Sequence, residues 1–404
     1  MCGLSRAIRG RAIRTGGSSL RRKRTDSRRR EVRAVPLSCL FRPVDFGGVP
    51  GWRTDRLDLA FAAFRLCAIR AAERPYRSGS LGIAAESFAP SYEEARALGA
   101  IDVRDARLFF ERHFVPMAIA LEDGGSGFVT GFYEPVVVAS PVRTERFSVP
   151  LLSRPDDLVA IDDANRPSEM DPYLAFGRAT DDGIVEYYDR RAIDSGALEG
   201  RGLEMAWLED KVDAYFVHVQ GAARLSMTDG TTRRVTYDAK SGQRFTGAGR
   251  VLVDLGEIPP AEVTMQSIRR WLGEHPERVD EILWQNRSYI FFREAPVDDP
   301  SLGPIAAAKV PLTAGRSIAV DRLLHTFGTP FFVSAPALTA FGGDGFRRLM
   351  IAQDTGSAIV GPARGDLFAG SGGAAGDIAG TIRSTADFYV LVPRGLAEAE
   401  GRVR

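Results

Sequence analysis

Short runs in which hydrophobic and polar residues alternate occur along most of the chain after residue 120. Such alternation is typical of β-strands with one buried face, and Gly, Pro and Asp separate the runs as turn residues would. We predict strands at residues 127–138, 184–189, 213–220, 232–237, 250–254, 289–293, 330–334, 346–353 and 387–392. Helices do not alternate with these runs at the spacing of a doubly wound sheet. The pattern therefore favours a mainly β protein built from closed barrels.

Helical spacing of apolar residues is confined to a few segments. We predict helices at about 55–72 and 104–118, with Cys67 on the apolar face of the first. A later helix carries an apolar stripe formed by Met265, Ile268, Trp271 and Leu272. Pro276 begins the next helix, since proline is favoured in a first turn. No run reaches the roughly 18 apolar residues of a membrane-spanning helix.

Charge is distributed unevenly along the chain. Residues 1–34 contain 12 Lys and Arg against two acidic residues, a net charge of +10. The whole chain has +1, so residues 35–404 carry +1 − 10 = −9. An acidic body argues against nucleic-acid binding. We predict that residues 1–40 are disordered or precede the true start, with a basic arm or an export signal as alternatives.

The C-terminal region contains two carboxylates beside a strand and a turn. An apolar run from Arg347 ends at Asp354, Gly356 follows in a turn, and Asp366 comes twelve residues after Asp354. Carboxylates at such positions can have their proton affinity tuned by the surroundings, and turn glycines let a ligand approach the backbone. Acid–base chemistry is one interpretation, and turn capping is the alternative for either residue alone.

The sequence also bears on two other classes of site, an aspartic-protease site and a disulfide or metal site. Asp354-Thr355-Gly356-Ser357 matches the aspartic-protease signature, and Asp194 would have to be the second acid. Asp194 is not followed by a strand, which argues against that interpretation. Cys2, Cys39 and Cys67 are far apart and the chain has only four His, so we predict no disulfide framework, no metal site and no cofactor.

Three more segments carry candidate chemistry: 127–135, 213–221 and 303–322. In the first, hydroxyl, aromatic and carboxyl groups suited to a sugar come from Thr130, Phe132, Tyr133 and Glu134. In the second, read as a strand, Gln220 and Gly221 would form a polar wall, and His218 is interpreted as structural. A plain strand end followed by a turn is the alternative for these positions.

Taken in this order, the four segments resemble the membrane-bound lytic murein transglycosylase A family, from about Phe41 to Pro393. The resemblance implies a double-psi β-barrel at 41–141 plus 293–394, whose three-aspartate domain covers about 303–394. It also implies a second β-barrel inserted at 142–292, a groove between the two domains, and a tail at 395–404.

The resemblance implies cleavage of the peptidoglycan β-1,4 bond between N-acetylmuramic acid and N-acetylglucosamine without water, leaving 1,6-anhydro ends. Asp366 would be the acid and then the base, with Asp354 and Asp321 in support. Implied glycan contacts are Thr130, Phe132, Tyr133, Glu134, Gln220, Gly221, Tyr237 and Gly356. Implied partners are glycan strands and cell-wall synthesis enzymes, for a monomer in the periplasm or at the outer membrane. A barrel that binds peptidoglycan without cutting it stays an alternative.

The chain departs from the family pattern at three places. Ala222-Ala223 stands where the family has Ser-Gly after Gln-Gly, and His325-Thr326 stands where it has Ile-Pro. The family motif Tyr-Ala-Gly-x-Asn-Gly-x-Pro-Tyr is represented by residues 237–245, of which only Tyr237 and Gly242 match. We expect the fold to tolerate these changes and the substrate preference to depend on them.

Overall fold

Strands and short helices follow one another throughout the computed structural model, which describes residues 35–297 and 299–403. Of the segment 1–40 that was predicted to be disordered or to precede the true start, residues 1–34 lie outside the described residues. In the remainder, Leu37 is buried and the Ser38 amide donates to the Leu81 carbonyl at 3.1 Å. The strands are β1 (Phe41–Pro43), β2 (Phe114–Ile119), β3 (Gly127–Glu134), β4 (Val136–Ser140), β5 (Val149–Leu152), β6 (Leu158–Ala160), β7 (Phe176–Thr180), β8 (Gly183–Val185), β9 (Glu204–Leu208), β10 (Ala222–Met227), β11 (Thr232–Lys240), β12 (Ile290–Ala295), β13 (Ser317–Val320), β14 (Pro330–Ala335), β15 (Phe346–Asp354), β16 (Arg364–Ser371) and β17 (Arg383–Pro393).

Helices are more frequent than the periodicity indicates. They are α1 (Leu57–Glu73), α2 (Ala89–Ala97), α3 (Val103–His113), α4 (Arg190–Asp194), α5 (Lys211–Gln220), α6 (Ala248–Asp254), α7 (Met265–Glu274), α8 (Val279–Leu283), α9 (Gly373–Thr381) and α10 (Arg394–Ala399). Short 3₁₀ turns occur at Phe46–Gly48, Ala85–Phe88, Pro260–Glu262 and Pro276–Arg278. Within the described ranges, no helix is both long and apolar enough to cross a membrane.

Six strands close into a barrel. The order β17-β14-β15-β13-β16-β3 returns to its start because β3 pairs with both β16 and β17. Two of these pairs are parallel, β13 with β15 and β16 with β3. Closure leaves this ring without free edges. Residues of these strands and of helices α1 and α3 share one core, which includes Phe64, Phe110, Phe331, Leu349 and Leu367.

A second sheet has the order β12-β11-β10-β4-β9-β5. Its two edges meet at a bridge between Ser153, just after β5, and Phe292 on β12. Helix α5 covers one face, because Ala214 and Val217 pack with sheet residues in one apolar cluster. The chain enters this sheet after Pro135 and leaves it after Ala295. These crossing points lie within a few residues of the predicted boundaries 141/142 and 292/293, which stay predictions.

Two of the predicted strands are helices. Residues 213–220 belong to α5, where the Asp210 carboxylate accepts hydrogen bonds from the first-turn amides of Val212 and Asp213. Gly221 ends that helix with φ of +73°, a left-handed conformation that glycine adopts at little cost. Residues 250–254 belong to α6, which ends at Asp254 and is followed two residues later by Gly256 at φ of +75°. A short apolar run fits the spacing of a strand and of a helix equally well. In both segments the residues at the ends of the run favour the helix.

Candidate active site

A row of polar and small residues crosses four neighbouring strands of the barrel. Asp354 on β15 pairs with Ala319 on β13, Ala319 pairs with Asp366 on β16, and Asp366 pairs with Thr130 on β3. Directly paired residues point to the same face of a sheet, so the two carboxylates share one face. Two strand spacings put their Cα positions about 10 Å apart. The small Ala319 lies between them and is buried.

Alternation within the strands places this row on the outer face of the barrel. Ile318, Leu367 and Val129 are the sequence neighbours of Ala319, Asp366 and Thr130, and all three belong to the buried core. Because neighbouring residues of a strand point to opposite faces, the row points away from that core. Asp366 and Thr130 are only partly buried. The structure thus brings together an accessible carboxylate and a hydroxyl that are 236 residues apart in the sequence.

Asp366 is held by its neighbour on β3. The Thr130 hydroxyl donates to Asp366 Oδ1 at 2.5 Å, and Arg364 Nη2 donates to the same hydroxyl oxygen at 2.7 Å. Burial raises the pKa of Asp366, while the Thr130 hydrogen bond and the Arg364 charge act in the opposite direction. A carboxyl group with a raised pKa keeps its proton at higher pH, as a general acid requires. Sequence analysis did not single out Arg364, which directly precedes Gly365-Asp366.

Asp354, the last residue of β15, is partly buried as Asp366 is. Burial raises its pKa to about 6, and the negative charge of Asp366 contributes in the same direction. The Ala307 amide donates to Asp354 Oδ1 at 3.2 Å. This amide comes from a tight turn in which Lys309 has φ of +61°, the one positive φ outside glycine among the described residues. The turn and Lys309, whose charge lowers the pKa of Asp354 slightly, were not predicted from sequence.

The raised pKa of Asp354 predicts a pH-dependent effect of Asp354→Asn on stability. Between the ordinary value of 3.8 and the folded value of about 6, the folded state holds the proton more tightly, so wild-type stability falls as pH rises through this window. We expect Asp354→Asn to increase the free energy of unfolding at pH 7 by up to about 3 kcal/mol and to leave it nearly unchanged at pH 3.5. Denaturant unfolding at both pH values measures this. The exposed Asp344→Asn is the control, and an effect independent of pH would contradict the prediction.

Asp321 has a different position from the other two acids. It follows β13, and its carboxylate accepts hydrogen bonds from the amides of Leu323 at 3.0 Å and Gly361 at 3.1 Å. These contacts tie the turn after β13 to the loop that leads into β16. Asp321 therefore supports the loop that precedes β16, the strand of Asp366, and both of its carboxylate oxygens already have partners.

Glu134 does not lie where a sugar could reach it. Its side chain has no exposed surface, and it accepts hydrogen bonds from Arg234 Nε at 2.6 Å and Arg224 Nη2 at 3.1 Å. The Ser371 hydroxyl donates to it at 2.6 Å. The prediction that Glu134 contacts glycan is corrected: this carboxylate joins β3 and β16 of the barrel to β10 and β11 of the second sheet.

The remaining predicted residues divide into packed and open positions. The Tyr133 ring is buried against Gly376 of α9, and its amide donates to Gln220 Oε1 at 3.1 Å. Gln220 is the last residue of α5, so the predicted strand wall does not exist, although Gln220 and Gly221 still lie beside β3. The Phe132 ring packs against Phe368, with centroids 5.2 Å apart.

Two predicted contact residues are exposed. Tyr237, at a bulge in β11, exposes 42% of its surface, and Gly356 is exposed in the turn after Asp354. His218 is buried; Arg190 Nη1 lies 3.1 Å from its Nδ1, and burial lowers its pKa well below the usual value, which fits the structural interpretation.

The structure does not support the aspartic-protease alternative. Asp194 is the last residue of α4, and its carboxylate accepts a hydrogen bond from Trp284 Nε1 at 3.1 Å. It does not pair with Asp354. In the part of the chain that the structure describes, no group of three or more His, Cys, Asp or Glu is arranged to hold a metal ion.

Two protein families match this chain. The MltA specific insert domain matches residues 128–293, and the 3D domain matches residues 316–392. The membrane-bound lytic murein transglycosylase A of Escherichia coli K12 is 30% identical over 268 residues, which cover 65% of this chain and 64% of that relative. The match thus spans somewhat less than two thirds of the relative's length.

Solved structures extend the comparison over most of the chain. A membrane-bound lytic murein transglycosylase from Agrobacterium tumefaciens is 52% identical with a TM-score of 0.84, covering 89% of this chain and 99% of that one. MltA from Neisseria gonorrhoeae is 30% identical with a TM-score of 0.73, covering 88% and 93%. E. coli MltA with bound chitohexaose is 26% identical with a TM-score of 0.62, covering 89% and 95%.

Proposed function

The chain belongs to the membrane-bound lytic murein transglycosylase A family, and from that premise we propose that it is a peptidoglycan lytic transglycosylase. Its substrate is the glycan strand of peptidoglycan, cut at the β-1,4 bond between N-acetylmuramic acid and N-acetylglucosamine. The bound chitohexaose of the E. coli relative, a chain of amino sugars, supports a glycan substrate. By the same family relation we place the protein in the periplasm, in association with the outer membrane.

One observation carries the proposal: an accessible carboxylate of raised pKa, Asp366, bonded to the Thr130 hydroxyl on the outer face of the barrel. In the first step Asp366 gives its proton to the glycosidic oxygen, the C1–O bond breaks, and N-acetylglucosamine leaves with a free hydroxyl. In the second step the Asp366 carboxylate takes the proton of the muramic O6 hydroxyl, and O6 bonds to C1. The proton returns to Asp366, no water is consumed, and a 1,6-anhydro ring results.

The supporting residues fit this scheme. Asp354 shares the outer face, and above its pKa of about 6 its carboxylate adds negative charge near the place where positive charge develops on the sugar. Asp321 fixes the loop before β16. We propose Thr130, Phe132, Gln220, Gly221, Tyr237 and Gly356 as groups along the glycan path, with Tyr133 holding the backbone there.

Digestion of purified sacculi, followed by mass spectrometry of the products, tests the proposed reaction. We expect muropeptides that end in 1,6-anhydromuramic acid and are lighter by one water than hydrolysis products. Products with reducing ends would instead indicate hydrolysis by two carboxylates, with Asp354 as the second. Binding of sacculi without any products would favour the non-catalytic alternative.

Thr130→Val is expected to change the pH dependence of cleavage. The Thr130 hydroxyl stabilises the ionised form of Asp366, so its removal raises the pKa of Asp366 further. In the pH–rate profile, the pH at which activity falls as Asp366 loses its proton should then be higher than in wild type. The maximal rate should fall on the order of tenfold to a hundredfold because the acid is less well oriented.

The matched control for Thr130→Val is Thr130→Ser, which keeps the hydroxyl and should retain the wild-type pH profile. A lower rate with an unshifted profile in Thr130→Val would assign the residue a packing role only. Full pH–rate profiles of the three proteins on the same sacculi make the comparison.

A further inference from the structure

A cavity of about 380 Å³ lies at the start of β15, the strand that ends with Asp354. Its wall comes from residues at the N-terminal end of α1, from Arg316 just before β13, and from Arg347 and Arg348 of β15. At the rise of a strand, Asp354 is about 20 Å from Arg348. None of the residues assigned to the proposed reaction lines the cavity, so that reaction makes no use of it.

Positive charge dominates the wall of this cavity. Its lining includes four guanidinium groups, those of Arg56, Arg316, Arg347 and Arg348, and one carboxylate, that of Asp55. Arg56 is neutralised by Asp58, which lies 2.7 Å away. The other three guanidinium groups against one carboxylate leave a net charge of +2. This concentration of positive charge occurs in a body, residues 35–404, whose net charge is −9.

The carboxylate of the wall is already paired. Asp55 accepts hydrogen bonds from Arg316 Nη2 at 2.8 Å and Nη1 at 2.9 Å, and from the Leu349 amide at 2.7 Å. Asp55 and Arg316 are both buried, and the bidentate geometry fixes their positions. The two groups therefore neutralise each other, and the charges of Arg347 and Arg348 remain.

Arg348 is held in place by contacts that do not neutralise it. Its guanidinium group lies 5.0 Å from the centre of the Phe341 ring and 5.2 Å from that of Phe346. Nη1 also packs against Gly315, where a Cβ atom would come within 2.6 Å of it. In the described part of the chain Arg348 forms neither an ion pair nor a side-chain hydrogen bond. Its donors are thus oriented but unused.

The surroundings of Arg348 disfavour its charge. Burial and the nearby charge of Arg316 both lower the pKa of Arg348. Arg347 adds a third cation: its Nη1 donates to the Asp344 carbonyl at 3.0 Å, which fixes the side chain without neutralising it. The N-terminal end of α1, a helix of 17 residues, adds the positive end of a helix dipole. Partly buried cations without a counter-charge favour the binding of an anion.

We propose that this cavity binds a phosphate group between Arg347 and Arg348. A phosphate group carries about 1.5–2 negative charges at pH 7, close to the net charge of the wall. Guanidinium groups bind phosphate oxygens in pairs, which suits the fixed position of Arg348. A carboxylate would supply one charge and leave the wall positive. The phosphate belongs either to a soluble ion or to the headgroup of an anionic lipid, for which the exposed Leu59 in the wall supplies an apolar contact.

Calorimetric titration of the full chain with inorganic phosphate, at pH 7 and constant ionic strength, tests the proposal. We expect one site with a dissociation constant on the order of 1 mM or lower. Arg348→Gln and Arg347→Gln should each weaken binding about tenfold, since each removes charged hydrogen bonds. Thermal unfolding verifies that each variant is folded. The matched control is Arg233→Gln, which removes an exposed arginine of the second sheet and should bind as wild type does.

Vesicles identify the source of the phosphate group. We compare sedimentation of the protein with vesicles of phosphatidylcholine that contain phosphatidic acid and with vesicles of phosphatidylcholine alone. Binding to the first only, lost in Arg348→Gln, would assign a lipid headgroup, whereas binding of inorganic phosphate alone would assign a soluble ion. Binding of neither probe, wild-type binding by both Arg347→Gln and Arg348→Gln, or an equal loss in Arg233→Gln would overturn the proposal. None of these measurements depends on glycan cleavage.

Discussion

Asp366→Asn is expected to lose about 10⁴-fold or more in the rate of glycan cleavage while the protein stays folded. The substitution keeps the size of the side chain and can still accept the Thr130 hydrogen bond, so the pairing of β16 with β3 survives. It removes the group that gives the first proton and takes the second in the proposed scheme. General acid–base assistance contributes about 10²–10⁴-fold, and one group serves both steps here, so the loss should reach the upper end.

Rates of product release from sacculi, measured together with thermal unfolding and glycan binding, check this expectation. Asp387→Asn is the matched control, because it removes an exposed carboxylate from β17 of the same barrel. It should cut glycan at the wild-type rate. Substantial activity in Asp366→Asn would contradict the mechanism in which Asp366 is the single acid. Asp354 would then be the candidate for the acid.

Glu134→Gln is expected to lower the free energy of unfolding by about 3–5 kcal/mol, the cost of breaking a buried ion pair by removing one partner. Arg234 is 3% exposed and bonds to both oxygens of Glu134, and the side chain of Arg224 is also largely covered. Without the carboxylate these cations stay enclosed without an anion. Denaturant unfolding at neutral pH measures the change.

The neighbouring pair Arg233–Glu294 supplies a control of the same chemistry in solvent. Its two side chains are 37% and 63% exposed at a separation of 3.6 Å, so Glu294→Gln should change stability little. A similar small effect in Glu134→Gln would mean that Glu134 is not the link between the two sheets. It would also reopen a direct role of this residue in glycan binding.

Four of the six barrel strands, β3, β14, β15 and β17, could be predicted from sequence because they are apolar or alternating runs bounded by turn residues, whereas β13 and β16 were not predicted. The run 213–220 could not be assigned by alternation, since eight residues with aromatic and β-branched members fit a strand and a buried helix equally well. The decisive residues lie just outside the run, with Asp210 capping the helix and Gly221 ending it. Attention to these two positions would have corrected the assignment.

The candidate acids could be proposed from sequence, but the contacts around them could not. Asp354 and Asp366 can be found because each follows recognisable local sequence. That Thr130 lies against Asp366 depends on the register of two parallel strands that are far apart in the chain. The burial of Glu134 depends on arginines 90 and 100 residues away. Such contacts are decided by tertiary packing, on which local pattern carries no information.

The closure of the barrel by β3 has a consequence for the order in which the protein can be made. All strands of the second sheet lie between residues 136 and 295, so they can pair while later residues are still being synthesised. β3 is synthesised before them, but its partners β16 and β17 are synthesised much later, since Thr130 and Asp366 are 236 residues apart. β3 can therefore pair with these strands only after they have been made. An unfinished chain has the hydroxyl without the acid beside it. The contact between Thr130 and Asp366 can therefore form only after the last strands have been translated.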